Sequence, residues 1–292
     1  KEKNIPFIIA KNKADLLTDI PKEEGAVYVS AKEKTGIEEL KNAVAKLTET
    51  DTMTMKLVGD LIKPDDMVVL VTPIDSAAPK GRLILPQQQA IRDVLEANAC
   101  AVVVRETELS GVLGRIEKPA LVITDSQAFS RVSKDTPEDI PLTSFSILMA
   151  RYKGFLDAAV KGVKAIDDLK DGDKVLISEG CTHHRQCGDI GSVKLPNWLK
   201  EYTGKNLEIV LSSGHGFPEE LSDFALCIHC GGCMLGSKEL TNRMKCACDA
   251  GVPFTNYGIA IAYMKGILKR SIDVFPHLVK ELEDHNGGQR TY

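Results

Sequence analysis

Two cysteines that bracket two glycines, Cys230-Gly231-Gly232-Cys233, are the residues in this chain best suited to chemistry, and His229 leads into them. Two thiolates separated by two residues can turn onto one metal. The intervening glycines let backbone N–H groups approach a bound sulfide. Upstream, Cys181-Thr182-His183 supplies a second soft-ligand pair, and 45 residues separate His183 from His229. Three cysteines with one position left to an exchangeable ligand suit an iron–sulfur cluster. Completion by His183 and His229 as Cys₂His₂ or Cys₃His would suit zinc. A redox dithiol is the third reading of C-x-x-C, but it needs no distant C-x-H.

Both ligand pairs follow short apolar runs. Lys174-Val175-Leu176-Ile177 precedes Cys181, and Phe224-Ala225-Leu226-Cys227-Ile228 precedes His229. Such runs read as buried strands, so the ligands are expected at two strand ends. Cys227 falls inside its strand and is expected in the core. Cys246 and Cys248 stand two apart on an expected helix, face different directions and are read as packing. His184 and Cys187 lie close by but outside the motif. Glu179 and Asp189 are nearby carboxylates for a fourth ligand position.

The 292 residues suggest two or three domains. A hydrophobic content of 43%, a charged content of 27% and a net charge of −4 fit a globular protein and give no reason to expect nucleic acid. No apolar run approaches the ~20 residues of a membrane span. Eight cysteines clustered mostly after residue 180 favour metal in a reducing compartment over a disulfide framework. No signal-peptide pattern opens the chain, and the expected location is cytoplasmic.

The chain begins with an expected strand, Ile5–Ala10, and then Asn12-Lys13-Ala14-Asp15. N-K-x-D reads guanine: the Asp carboxylate accepts from two adjacent guanine N–H groups, the Lys stem covers the base and Asn braces the loop. A second strand, Ala26–Val29, leads into Ser30-Ala31-Lys32, whose backbone N–H meets guanine O6. Thr35 is expected to cap a helix with Glu38 in a capping box, and Ile37, Leu40, Val44 and Leu47 keep helical spacing. Together these read as the tail of a GTPase domain. The phosphate loop G-x-x-x-x-G-K-[ST] is not found and is expected upstream, so this chain is not expected to hydrolyse GTP.

After an expected linker at residues 51–55, strands and helices alternate. Strands are expected at 67–71, 100–104 and 120–124, with helices at 87–97, 109–116 and 126–133, and Phe145–Met149 closes the unit. A helix at 154–169 opens a third unit, with strands near 175–177, 207–211 and 225–228 and helices at 196–202, 240–250 and 260–272. The fold class is α/β: three units with largely parallel sheets, bounded as 1–50, 51–152 and 153–292. Asp75, Lys80 and Arg82 follow the first middle strand and could bind an anion, although a solvated loop is the commoner meaning. Cys100 is expected to be a small core residue. No internal repeat stands out.

A GTPase tail, a middle α/β unit and C-x-H with H-C-x-x-C, in this order, resemble the HydF family, the GTPase maturases of FeFe-hydrogenase. The resemblance runs from Asn12 to the tail. It implies a 4Fe-4S cluster on Cys181, Cys230 and Cys233, with His183 and His229 at the family's histidine positions. It further implies a scaffold that carries a transient two-iron precursor to apo-FeFe-hydrogenase, alongside radical SAM maturases. The middle unit would be the dimerisation domain, giving a homodimer or a higher oligomer. GTP and Mg²⁺ would belong to the full-length protein only. The rival readings are a zinc-stabilised adaptor attached to a GTPase, and an iron–sulfur redox or Lewis-acid enzyme.

Overall fold

A computed structural model describes residues 7–21, 23, 25–48, 56–74, 83–180, 189–214 and 216–283. Cys181, His183, His184, Cys187, Asp75, Lys80, Arg82 and the linker at 51–55 lie outside the described residues. The chain divides into two compact units, Lys1–Met55 and Lys56–Tyr292. Among the described residues no helix is long and apolar enough to cross a membrane.

In the first unit, β1 (Ile9–Lys11) pairs in parallel with β2 (Ala26–Tyr28), in register Ile9 to Ala26. Helix α1 spans Ile37–Thr48. Its first backbone bond runs from the Leu40 N–H to the Gly36 carbonyl, so the cap falls at Gly36 and not at Thr35. Thr35 instead bridges to Ser30, and Glu38 pairs with Lys41 at 2.7 Å.

The second unit holds two four-stranded sheets, both wholly parallel. In the first, β3 (Met67–Val71), β4 (Cys100–Val104), β5 (Leu121–Thr124) and β6 (Leu142–Ser144) stand in the order β4-β3-β5-β6. Helices α2 (Leu85–Glu96), α3 (Leu109–Leu113), α4 (Phe129–Asp135) and α5 (Phe145–Tyr152) connect and follow them. In the second, β7 (Lys174–Glu179), β8 (Glu208–Ser213), β9 (Phe224–His229) and β10 (Phe254–Asn256) stand in the order β10-β9-β7-β8. α6 (Leu156–Gly162) and a 3-10 stretch (Val163–Asp168) precede this sheet. A π-helical turn (Ile190–Lys194), α7 (Leu195–Thr203), α8 (Ser237–Asp249), α9 (Tyr257–Met264), α10 (Leu268–Ser271) and α11 (Pro276–Glu283) complete it. Val68–Val71 and Val175–Ile177 are essentially solvent-free because both faces of each central strand are covered.

Renumbered from its own first strand, each sheet has the order 2-1-3-4, so the unit holds two repeats of one topology. The hydrogen bonds repeat as well. Lys63 N–H donates to Asp66 Oδ2 at 2.7 Å, and Lys170 N–H to Asp173 Oδ2 at 2.8 Å. Ser144 Oγ accepts from Ile147 N–H, and Asn256 Oδ1 from Ile259 N–H, capping α5 and α9. The fourth strands and their helices read Pro141-Leu-Thr-Ser-Phe-Ser-Ile and Pro253-Phe-Thr-Asn-Tyr-Gly-Ile, and both run on to Lys-Gly, at 153–154 and 265–266. Similarity this sparse, 112 residues apart, does not stand out in the sequence. β6 and β10, at three residues each, are the strands that sequence reading missed.

The repeats exchange elements. α6, which follows the first sheet, packs on β10 of the second, and α10, which follows α9, packs on β6 of the first. Thr255 Oγ1 donates to the Ala159 carbonyl at 2.9 Å. Arg270 donates to the Ser133 and Thr136 carbonyls, both at 2.6 Å, closing the end of α4. Phe155 meets Phe254 edge-on, with ring centroids 5.9 Å apart. The expected helix at 154–169 is therefore α6 plus the 3-10 stretch. The expected helix at 260–272 is two helices broken at Lys265-Gly266, where Gly266 has φ +69°.

Candidate metal centre

Parallel strands β7 and β9 lie side by side, with Ser178 opposite His229. Their C-terminal ends therefore open at the same edge of the sheet, where ligands of α/β folds gather. The Cys230 N–H still donates to the Ser178 carbonyl at 2.8 Å, so the chain leaves the sheet at Cys230 itself. Cys230 Sγ accepts the N–H of Gly180 at 3.1 Å and that of Gly232 at 3.3 Å. Gly180 is the residue before Cys181. Two amide donors aimed at one sulfur favour its thiolate form, against a burial that pushes the thiol pKa up. Gly232 has φ +58°, and a Cβ there would come within 2.9 Å of Leu240, so the turn between the two cysteines requires glycine. A Cβ on Gly231 would meet open space.

A lysine holds this loop from the other repeat. Lys153, almost fully buried at the end of α5, donates from Nζ to the Gly232 carbonyl at 2.6 Å and also to the Leu235 carbonyl. Burial lowers its pKa, while the neighbouring Cys233 and Cys230 raise it. Sequence reading missed Lys153 because nothing local marks it: it stands 79 residues from its partner Gly232.

His229 is wholly buried between Phe217 and Phe254. Its Nδ1 lies 2.8 Å from the Cys230 carbonyl and its Nε2 lies 3.2 Å from Arg243 Nη1. Arginine only donates, so Nε2 accepts and Nδ1 carries the proton. Desolvation brings its pKa down to about 4. Both ring nitrogens are thus engaged, and ligation by His229 would require it to give up Arg243. Arg243 in turn donates to the Gly214 carbonyl at 2.6 Å and pairs with Glu239 at 3.1 Å.

The carboxylates are placed differently. Asp189 Oδ2 caps the π-helical turn, accepting from the Gly191 and Ser192 N–H groups at 3.1 and 3.0 Å. Glu179 Oε1 lies 3.5 Å from the Tyr257 hydroxyl. Burial, then the charges of Cys230 and Glu179, push the Tyr257 pKa upward. Among the described residues no group of three His, Cys, Asp or Glu side chains could hold a metal, and Cys181 and His183 lie outside them.

The other cysteines divide. Cys227 is core as expected, its thiol pushed up to about 12 by burial. Cys100, Cys246 and Cys248 are exposed and not packed inside. Cys100 opens an edge strand, and α8 turns Cys246 and Cys248 outward while burying Leu240, Arg243 and Ala247.

In the first unit the Asn12–Asp15 and Ser30–Lys32 loops are bonded together. Asn12 Oδ1 accepts the N–H groups of Lys13 and Ala31 at 2.8 and 3.1 Å, and Ser30 Oγ donates to Asp15 Oδ1 at 2.5 Å. Lys13, in the left-handed region at φ 68°, and Lys32 are both exposed.

Residues 57–154 match a family model described as the hydrogen maturase F dimerization domain, and residues 157–274 match the hydrogen maturase F tetramerization domain. No curated protein matches the chain. The two matched segments cover the two repeats in turn, and the chain belongs to the hydrogen maturase F family.

Proposed function

We propose that this hydrogenase maturase is a scaffold that binds a 4Fe-4S cluster through Cys181, Cys230 and Cys233 and carries a two-iron precursor to apo-FeFe-hydrogenase. The observation that carries the reading is the Cys230 sulfur at the end of β9, which accepts amide hydrogens from both Gly180 and Gly232. The donor set fits the group: thiolates on a glycine turn, with N–H groups directed at sulfur and a lysine beside them. When bound, the cluster would supply an iron with one exchangeable position. Cys230 and Cys233 would hold it, Lys153 would fix their loop, and His229 would pack beneath it. His183, Glu179, Asp189 or solvent would be the fourth ligand ahead of His229, whose two ring nitrogens are already engaged.

Asn12, Lys13, Asp15, Ser30, Ala31 and Lys32 would read guanine in the full-length protein, with Mg²⁺ and the phosphates held by a phosphate loop. The Asn12–Ala31 and Ser30–Asp15 bonds support this, because they set the two loops against one another. The dimerization and tetramerization domains support self-association. β4, an edge strand with exposed apolar residues, is the proposed dimer contact. Anaerobic reconstitution with iron and sulfide tests the metal reading. Near four irons per chain with a reduced-state EPR signal is expected. Bound zinc and no colour would overturn it.

A further inference from the structure

Three neighbouring strands leave the second sheet at one level. Ser178 and Asn256 both pair with His229, so the residues that follow, Glu179, Cys230 and Tyr257, stand in a row with Cys230 in the middle. Matched positions of parallel strands turn their side chains to the same face of the sheet. Strands are spaced about 4.8 Å apart, which puts β7 and β10 roughly 10 Å from each other with β9 between them. The Tyr257 hydroxyl nevertheless lies 3.5 Å from Glu179 Oε1. The two side chains therefore meet across Cys230.

Room for this meeting is built into the fold. A Cβ on Gly191, in the π-helical turn, would stand 2.3 Å from the Tyr257 hydroxyl and 2.6 Å from Glu179 Oε1. Single π turns recur at functional sites. The two repeats differ at these positions. Phe145 stands where the second repeat has Tyr257, and Thr72 stands where it has Glu179, counting from the matched aspartates Asp66 and Asp173. The hydroxyl and the carboxylate thus belong to the repeat that carries the cysteines. At 3.5 Å the contact with Glu179 is longer than the roughly 2.5–3.0 Å of a formed O–H···O bond, so the phenol proton is not committed to it. The charge of Cys230 acts on this hydroxyl more strongly than that of Glu179.

We propose that the Tyr257 hydroxyl donates a hydrogen bond to sulfur of the metal centre at Cys230, and so raises the reduction potential of a bound cluster. The inference rests on the iron–sulfur reading of Cys181, Cys230 and Cys233. Hydrogen bonds to sulfur help to set the potential of such clusters, and they favour the reduced, more negative form. Phe145 is buried at the equivalent position, so phenylalanine fits this place in the fold and the hydroxyl can be removed alone.

Redox titration followed by EPR tests this on the anaerobically reconstituted chain, with Tyr257→Phe, Glu179→Gln and the double variant. Tyr257→Phe is expected to keep the wild-type iron content. Its reduction should be about threefold to tenfold less favourable, a potential lower by about 30–60 mV for one electron. The same lowering is expected when Tyr257→Phe is added to Glu179→Gln. A lowering that vanishes in the Glu179→Gln background would mean that the hydroxyl serves the carboxylate alone, and would overturn the inference. Loss of the iron from Tyr257→Phe would also count against it, assigning the hydroxyl to the structure of the loop. An unshifted potential in iron-loaded Tyr257→Phe would sink the inference and leave the cluster reading intact. A wild type that takes up zinc and no iron would remove both.

Discussion

The Lys153 ammonium reaches from the first repeat to the Gly232 carbonyl of the second, 2.6 Å away. Its second bond, to the Leu235 carbonyl, spans the same turn. A buried charge that satisfies two carbonyls stiffens the loop between the two cysteines. Lys153→Met leaves both carbonyls without their donor, a loss of about 2 kcal/mol locally. Amide hydrogen exchange at residues 231–236 should quicken by roughly 10–30-fold, while exchange in β3 and β5 is unchanged. Unaltered exchange in the loop would remove Lys153 from this role.

The thiolates make the second prediction. Cys181→Ala, Cys230→Ala and Cys233→Ala should each lose most cluster iron on anaerobic reconstitution, because two thiolates hold a cubane poorly. Cys100→Ala, Cys246→Ala and Cys248→Ala should keep it, since these cysteines stand on an exposed strand edge and an exposed helix face. Full iron and sulfide in any of the first three would strike that residue from the ligand set.

Much of this architecture was legible in the chain. The central strands β3 and β7 are apolar runs buried on both faces, and such runs announce themselves. The short strands β6 and β10 do not, because a three-residue strand has too little pattern to separate from a turn. The tight glycine turn between Cys230 and Cys233 was legible from spacing alone. What the spacing could not carry was the environment of His229. Its engagement by Arg243 depends on α8 folding back over β9, a contact between residues 14 apart that no local pattern marks. Cys100 was misplaced because a strand's edge position is decided by which neighbours pair, not by its own residues. The repeated topology was hidden because the similarity lies in hydrogen bonds and strand order more than in identities.

Stability should fall in mild acid through His229. Its folded pKa, about 4, lies below the ordinary 6.5. Between those values the unfolded chain takes up a proton that the folded chain refuses. The contribution is therefore complete above about pH 6.5 and is lost as pH falls toward 4. Going from pH 7 to pH 5 should cost the metal-free chain about 2 kcal/mol from this residue. His229→Gln keeps an acceptor for Arg243 and does not titrate, so its urea midpoint should fall less over the same interval. Parallel loss in the two proteins would assign the acid sensitivity to other groups.

The exchange of α6 and α10 between the sheets makes the repeats interdependent, and Gly162 shows how closely. A Cβ at Gly162 would stand 2.2 Å from the Phe254 carbonyl oxygen, a backbone atom in β10 that cannot rotate away. Glycine to alanine in a helix ordinarily gains up to ~1 kcal/mol. Here the sign reverses, because α6 and β10 must separate to admit the methyl group, at a cost of about 2–3 kcal/mol. That separation also strains the Thr255 bond to the Ala159 carbonyl and the Phe155–Phe254 contact. Gly162→Ala should lower the urea midpoint of the whole second unit in one transition, since both sheets lose a shared support. Two separated transitions, with only the β7–β10 sheet destabilised, would show that the repeats fold independently. A Gly162→Ala protein at least as stable as wild type would mean that α6 and β10 separate without cost.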